Sequence, residues 1–237
     1  TLQGGSHAMA IGLLQDDENP LLTHSLHVGN LAVAIGRQIG IPRHLLAELG
    51  LCGLFHDTGF TDLPGDLEWA PPEGDLGARV AAHSALGFRI QLRQKGYHPG
   101  RMMRAVVNLE HHLEVFSRGM QPWDDARLPM HPFSRIVAVA DAYDSMVTDT
   151  ERRRALLPSE AVRQVYGGRG ERFDPVAAQA LVNLMGRFPY GSLLQLGDGA
   201  LAVVTGHLGD AASFARPAVK IVRGGAQFTE GHSVEQA

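Results

Sequence analysis

Seven residues able to donate lone pairs to a cation stand where such side chains are out of place: His24, His56, Asp57, His83, His111, His112 and Asp141. The apolar stretch Leu54-Phe55 ends abruptly in His56-Asp57, and taken alone this pair has an ordinary reading as a histidine capping a helix beside a solvated aspartate. The others lie at helix ends or inside apolar stripes. Asp141 falls four residues after Val137, in an apolar face where an unpaired carboxylate is expensive. Any one of the seven has a structural explanation, but together they read as ligands. Imidazole and carboxylate without cysteine favour iron or manganese, with zinc, nickel or cobalt as alternatives. The adjacent pairs His56-Asp57 and His111-His112 point about 100° apart on a helix, which suits two ions better than one. Two ions call for a bridging carboxylate, and Asp57 is the candidate.

Helices must carry these residues. Leu21, His24, Val28, Leu31 and Ile35 recur at steps of three and four between Pro20 and Gly40, with His24 in the stripe and His27 beside it. Pro42 opens a second helix through Phe55, with His56 and Asp57 at its C-terminal end. Residues Phe60 to Gly74 read as a loop. A third helix with Val80, His83, Leu86, Gly87 and Ile90 on one face stops at Gly96. A fourth begins near Pro99, passes Met102, Met103, Val106, Leu109 and Leu113, and has His111-His112 near its end. After an irregular segment from Ser117 to Pro132, a fifth helix carries Phe133, Ile136, Val137, Ala140, Asp141 and Met146. Shorter helices follow Pro158-Ser159 and Asp174-Pro175, the latter with aspartate as N-cap.

From Gly191 the period changes to that of strands, with Gly197-Asp198-Gly199 as a hairpin turn and a further strand from Ala218 to Val222. The fold class is mainly α, a helical bundle over residues 11–190 with a small C-terminal β appendage over 191–226. Residues 1–10 resemble a tag remnant, which removes His7 from consideration, and 227–237 read as a flexible tail.

Composition narrows the function. With 44% hydrophobic and 19% charged residues, the 237-residue chain is typical of a soluble globular protein. A net charge of -4 gives no footprint for nucleic acid, and the apolar runs are too short for a membrane span. The single cysteine, Cys52, excludes an internal disulfide and reads as a core residue in a cytoplasmic protein. Twelve histidines against 21 lysines and arginines are the compositional hint of metal chemistry.

The order His24, His56-Asp57, His83, His111-His112, Asp141 on successive helices resembles the HD superfamily of metal-dependent phosphohydrolases, specifically its HD-GYP branch, whose members hydrolyse cyclic di-GMP. The resemblance covers Pro20 to Pro189 and implies an HD-domain helical bundle. It matches all seven residues to ligands of a two-metal site in which a metal-activated water attacks a phosphodiester. Asp57 bridges, Arg153 in Glu151-Arg152-Arg153-Arg154 occupies a phosphate-binding basic position, and Asp144 orients Arg153 or a water. The implied partner is a cyclic dinucleotide or another nucleotide phosphodiester, alongside a homodimer contact or a regulatory domain.

There are departures from the pattern. Phe60 stands where the family has lysine, and His27 where it usually has arginine. Pro20 replaces a glutamate that binds a third metal in some members, so two metals are expected. The segment from His111 to Pro122 keeps one glycine of the GYP motif and loses its tyrosine-proline, and Thr150 replaces an arginine. Two alternatives therefore stand beside hydrolysis of cyclic di-GMP: a module that binds it without turnover, and an HD phosphohydrolase acting on another nucleotide.

Overall fold

A computed structural model describes residues 19–63, 82–93, 95–113, 130–149, 154–186, 188–189, 191–206 and 216–224. Seven α-helices follow in order among them: α1 (Pro20–Gln38), α2 (Arg43–Leu54), α3 (His83–Arg93), α4 (Pro99–Glu110), α5 (Pro132–Val147), α6 (Pro158–Gly167) and α7 (Pro175–Met185). A 3-10 helix, Thr58–Asp62, lies between α2 and α3. Three strands follow α7: β1 (Leu193–Gln195), β2 (Leu201–Gly206) and β3 (Ala218–Arg223). The mainly α fold with a small C-terminal sheet is the one read from the sequence. The tag-like residues 1–10, the tail 227–237, most of the two proline-rich segments and Arg153 lie outside the described residues.

Proline sets where helices begin. α1, α4, α5, α6 and α7 each open on proline, whose missing N–H and fixed φ suit a first helical position. The Asn19 side chain accepts from Leu22 N at 3.1 Å, and Asp174 accepts from Val176 N and Ala177 N at 2.9 and 3.0 Å. These caps satisfy main-chain donors that the first turn leaves unpaired.

The core forms around α5. Ile136, Val137, Val139 and Ala140 are buried among Val28 and Ile35 of α1, Leu49 of α2, and Leu181 of α7. Each such aliphatic side chain contributes roughly 1.5–3 kcal/mol on burial. Cys52 belongs to this core, and burial, with Glu48 adding to it, pushes its thiol up to about 12. It is the inert core residue expected. No described helix is long and apolar enough to cross a membrane.

The strands form an antiparallel sheet in the order β1-β2-β3, with Ala202 and Val204 of β2 buried. The Asp198 side chain accepts from Ala200 N at 3.0 Å in the β1–β2 turn, the hairpin anticipated at Gly197-Asp198-Gly199.

Two local expectations are corrected. His56-Asp57 and His111-His112 sit in turns just past α2 and α4, so their divergence is set by turn geometry rather than by helical rotation. Phe60 belongs to the 3-10 helix, not to a loop. On α4 the apolar set Met102, Met103, Val106 and Leu109 is half-buried, whereas Arg101, Ala105, Val107 and Asn108 are buried. Hydrogen bonding of Asn108, described below, turns that polar face inward.

α1 and α2 touch main chain to main chain. A Cβ on Gly53 would lie 2.7 Å from Gly29 Cα and 3.1 Å from Val28 O, so the helices approach at a spacing that only glycine permits. This crossing brings His24, on the preceding turns of α1, beside His56, just beyond α2. Replacing Gly53→Val is expected to lower stability by about 1–3 kcal/mol, measured as a shift in the denaturation midpoint.

Candidate metal centre

Asp57 occupies the middle of the histidine cluster, with its two oxygens turned to different partners. Oδ1 lies 3.2 Å from His83 Nε2 and 3.3 Å from His111 Nε2. Oδ2 lies 3.2 Å from His56 Nε2 and 3.7 Å from His24 Nε2. Asp141 projects from α5 into the second group, with Oδ1 3.3 Å from His24 Nε2 and 3.9 Å from His56 Nε2. His112 Nε2 lies 3.1 Å from His83 Nε2, and its Nδ1 is 3.9 Å from Asp141 Oδ2. All seven sequence-predicted residues therefore converge. Two sets emerge, each compact enough for one ion: Asp57, His83, His111 and His112 in one, and His24, His56 and Asp141 in the other.

The far edges of the rings are tied down. His56 Nδ1 donates to Gly53 O at 2.7 Å, and His111 Nδ1 donates to Asn108 O at 2.8 Å. A carbonyl can only accept, so the proton sits on Nδ1 and each Nε2 presents a lone pair inward. Asp144 holds His24 Nδ1 at 2.8 Å through one oxygen and His27 Nδ1 at 3.0 Å through the other. Ser145 Oγ donates to Asp141 Oδ1 at 3.2 Å. The sequence predicts that Asp144 orients Arg153 or a water; among the described residues it holds two histidines. Arg153 lies outside the described residues.

Several of these positions were not legible as site residues. Asn108, fully buried, donates through Nδ2 to Phe55 O at 2.8 Å and to Arg104 O at 2.9 Å, tying α4 to the turn that carries His56. An asparagine three residues before His111 was the available signal. Gly59 packs so tightly on α3 that an added Cβ would collide with the main-chain carbonyl of His83. Phe60 stacks on the His83 ring, with centroids 4.3 Å apart and planes 12° from parallel.

Buried atoms without partners show that the set fits a cation. His56 Nε2 and Asp57 Oδ1 are buried and have no hydrogen-bond partner, although both face the centre of the cluster. A buried polar atom left unpaired is costly, and converging imidazole and carboxylate lone pairs are what a divalent transition metal satisfies. The cluster is compatible with divalent metal binding. His112, with its side chain 52% exposed, forms the solvent edge.

The electrostatics follow from the same contacts. Burial raises the Asp57 carboxyl, but the charge of His56 and the close approach of the His111, His56 and His83 rings outweigh it and hold the group well below 3.8. Asp141 and Asp144 are also raised by burial and held low overall, chiefly by the His24 hydrogen bond. Burial lowers His24 and His56, but the facing carboxylates, Asp141 and Asp144 for His24 and Asp57 for His56, raise both above 6.5 on balance.

Comparison with known proteins places the chain in a family. The family model described as the HD domain matches residues 21–146, more than half of the chain, and the chain belongs to that family. The resemblance to its HD-GYP branch is borne out. A cyclic di-GMP phosphodiesterase of Pseudomonas aeruginosa is 32% identical over 205 residues, covering 84% of this chain and 47% of that protein. A cyclic di-GMP phosphodiesterase of Thermotoga maritima is 25% identical over 173 residues, covering 68% of this chain and 44% of that protein. The chain therefore spans about half the length of the curated relatives it matches. Among solved structures, an HDG"Y"P protein of Bdellovibrio bacteriovorus superposes with a TM-score of 0.61 at 18% identity, over 76% of this chain and 57% of that one, which supports the fold.

The metal-free protein has a signed pH dependence. The lowered carboxyls contribute stability that is present above their ordinary 3.8 and lost as pH falls through the folded value. The raised His24 and His56 contribute stability that is full below 6.5 and lost as pH rises through the folded value. These are the same ion pairs seen from both ends. His111 and His112, lowered by burial, act in the opposite sense to His24 and His56, with stability present above 6.5 and lost as pH falls. Thermal melts of chelated protein are therefore expected to fall most steeply in acid below pH 3.8, where the paired carboxylates protonate, and added divalent metal is expected to raise the melting temperature at neutral pH.

Proposed function

We propose that this chain is a binuclear metal-dependent phosphodiesterase of the HD-GYP type that hydrolyses cyclic di-GMP or a related nucleotide phosphodiester. The observation that carries the reading is the division of Asp57 between two ligand sets, Oδ1 toward His83 and His111 and Oδ2 toward His56 and His24. Relatives named as cyclic di-GMP phosphodiesterases support the substrate class. The absence of thiolate from the set favours iron or manganese, and zinc, nickel or cobalt suit it less well. His24, His56 and Asp141 would hold one ion, and His83, His111 and His112 the other, with Asp57 shared.

When bound, two divalent cations lower the pKa of water and neutralise charge that develops on a phosphodiester under attack. The chain's own groups do the positioning. Asp144 fixes His24 and His27 in a single tautomer, with Nδ1–H on the carboxylate. The main-chain carbonyls of Gly53 and Asn108 do the same for His56 and His111. Water adds at phosphorus, one P–O ester bond breaks, and the leaving sugar oxygen takes a proton, yielding a linear dinucleotide. Arg153 is assigned by its place in the sequence to a distal phosphate. Cytoplasmic location and control by a regulatory domain or second copy complete the proposal.

One observation favours a second reading, a module that binds cyclic di-GMP without turnover. Phe60 lies flat on His83, so an aromatic face stands where a lysine would offer an ammonium to phosphate. Calorimetry with cyclic di-GMP alongside product chromatography separates the two. The metal-loaded protein is expected to convert the dinucleotide to its linear form, with Asp57→Asn inactive. Binding without product would establish the second reading, and a substrate panel tests for another nucleotide.

A lysine at this position restores charge but removes the stack. Phe60→Lys is expected to lower KM for the dinucleotide by about tenfold, about 1.4 kcal/mol of phosphate contact, while loosening metal retention on the His83 side. Steady-state kinetics and metal content after gel filtration measure the two effects separately.

A further inference from the structure

The turn between α3 and α4 borders a cavity of about 380 Å³ lined by Lys95, Gly96, Tyr97, His98, Arg101 and Arg104. It lies at the opposite end of α4 from the histidine cluster. Arg101 is in the first turn of α4 and His111 just past its last, and ten residues of helix separate them by about 15 Å.

Arg101 is the unusual member. It is 7% exposed, yet the one hydrogen bond described for its guanidinium is from Nη1 to Lys95 O at 3.2 Å. Its Nε is buried without a partner, and no described carboxylate forms an ion pair with it. Glu48, which reaches over Gly100 at the start of α4, is taken by Arg104 at 2.7 Å. A buried guanidinium without a counter-charge is costly, and its fork of donors matches the oxygens of a phosphate group. Lys95 and His98 are exposed at the mouth. Lys95, Arg101 and Arg104 against Glu48 leave two positive charges, which complement the charge of about -1.5 to -2 on a phosphate monoester at neutral pH.

We infer that this pocket binds the phosphate group of a small phosphate monoester, at a site separate from the metal centre. Arg101 supplies guanidinium charge and N–H donors, Lys95 the mobile ammonium and Tyr97, 82% exposed, a ring at the rim. The assignment stands whether or not the histidine cluster is catalytic.

Titration of inorganic phosphate and of a mononucleotide into the metal-loaded and the chelated protein, followed by amide NMR shifts, tests it. Chelation removes binding at the metal centre, so the pocket is expected to retain one equivalent with a Kd on the order of 1 mM or tighter. Shifts are expected to centre on residues 95–104. Lys95→Glu, at an exposed position, is expected to weaken this equivalent at least about tenfold while leaving metal content unchanged. Arg101→Gln should abolish it, and Lys95→Glu keeps the test valid if that buried substitution prevents folding. Absence of phosphate-dependent shifts in the chelated protein, or equal binding by Lys95→Glu, would overturn the proposal. Tighter binding of the mononucleotide than of inorganic phosphate would identify an organic monoester as the ligand, and equal binding would identify the free anion.

Discussion

The carboxylate of Asp57 facing histidines on both sides is the interaction around which this molecule is built. Buried to 8% exposure, it would be an expensive charge if its surroundings were apolar. Four imidazole nitrogens surround it instead, and two helices and two turns deliver them. The main-chain contact of Gly29 with Gly53, the seat of Gly59 against α3 and the Asn108 side chain beneath Phe55 all serve to bring those nitrogens within reach of one group. Their cost, in glycines placed inside helices and a polar side chain turned into the core, is offset by cohesion of the apolar layer around α5.

The outer ring of hydrogen bonds distinguishes a metal-ready cluster from an accidental one. Each of His56 and His111 is held by a carbonyl, and His24 by Asp144, so the inward nitrogens are aimed and carry lone pairs. A histidine buried only for packing needs no such arrangement on both edges of its ring. His56 Nε2 and Asp57 Oδ1 are the counterpart: the outward edges are satisfied by hydrogen bonds, and these inward atoms are buried without a hydrogen-bond partner.

Much of this was legible beforehand for a physical reason. His24 and Asp141 interrupt helical apolar stripes, and periodicity exposes such interruptions; proline at first helical positions marked five helix starts. The contribution of Asn108 was hidden because an asparagine in a helix carries no positional signal until its acceptor, Phe55 O, is known from the tertiary contact. The contacts of Gly59 and Phe60 were hidden likewise. Their meaning is a close approach to His83, which sits on a different element 24 residues after Gly59. Burial of Arg101 likewise comes from packing and has no marker in the sequence.

The central claim is that one carboxylate joins two ion sites, and metal stoichiometry in single-site variants tests it most directly. By inductively coupled plasma mass spectrometry after metal loading and gel filtration, the account predicts two ions per chain in the parent. It predicts one in His83→Ala, which spares the set formed by His24, His56 and Asp141, and none retained in Asp57→Asn. A parent chain that holds a single ion, or an Asp57→Asn chain that still holds two, would contradict it.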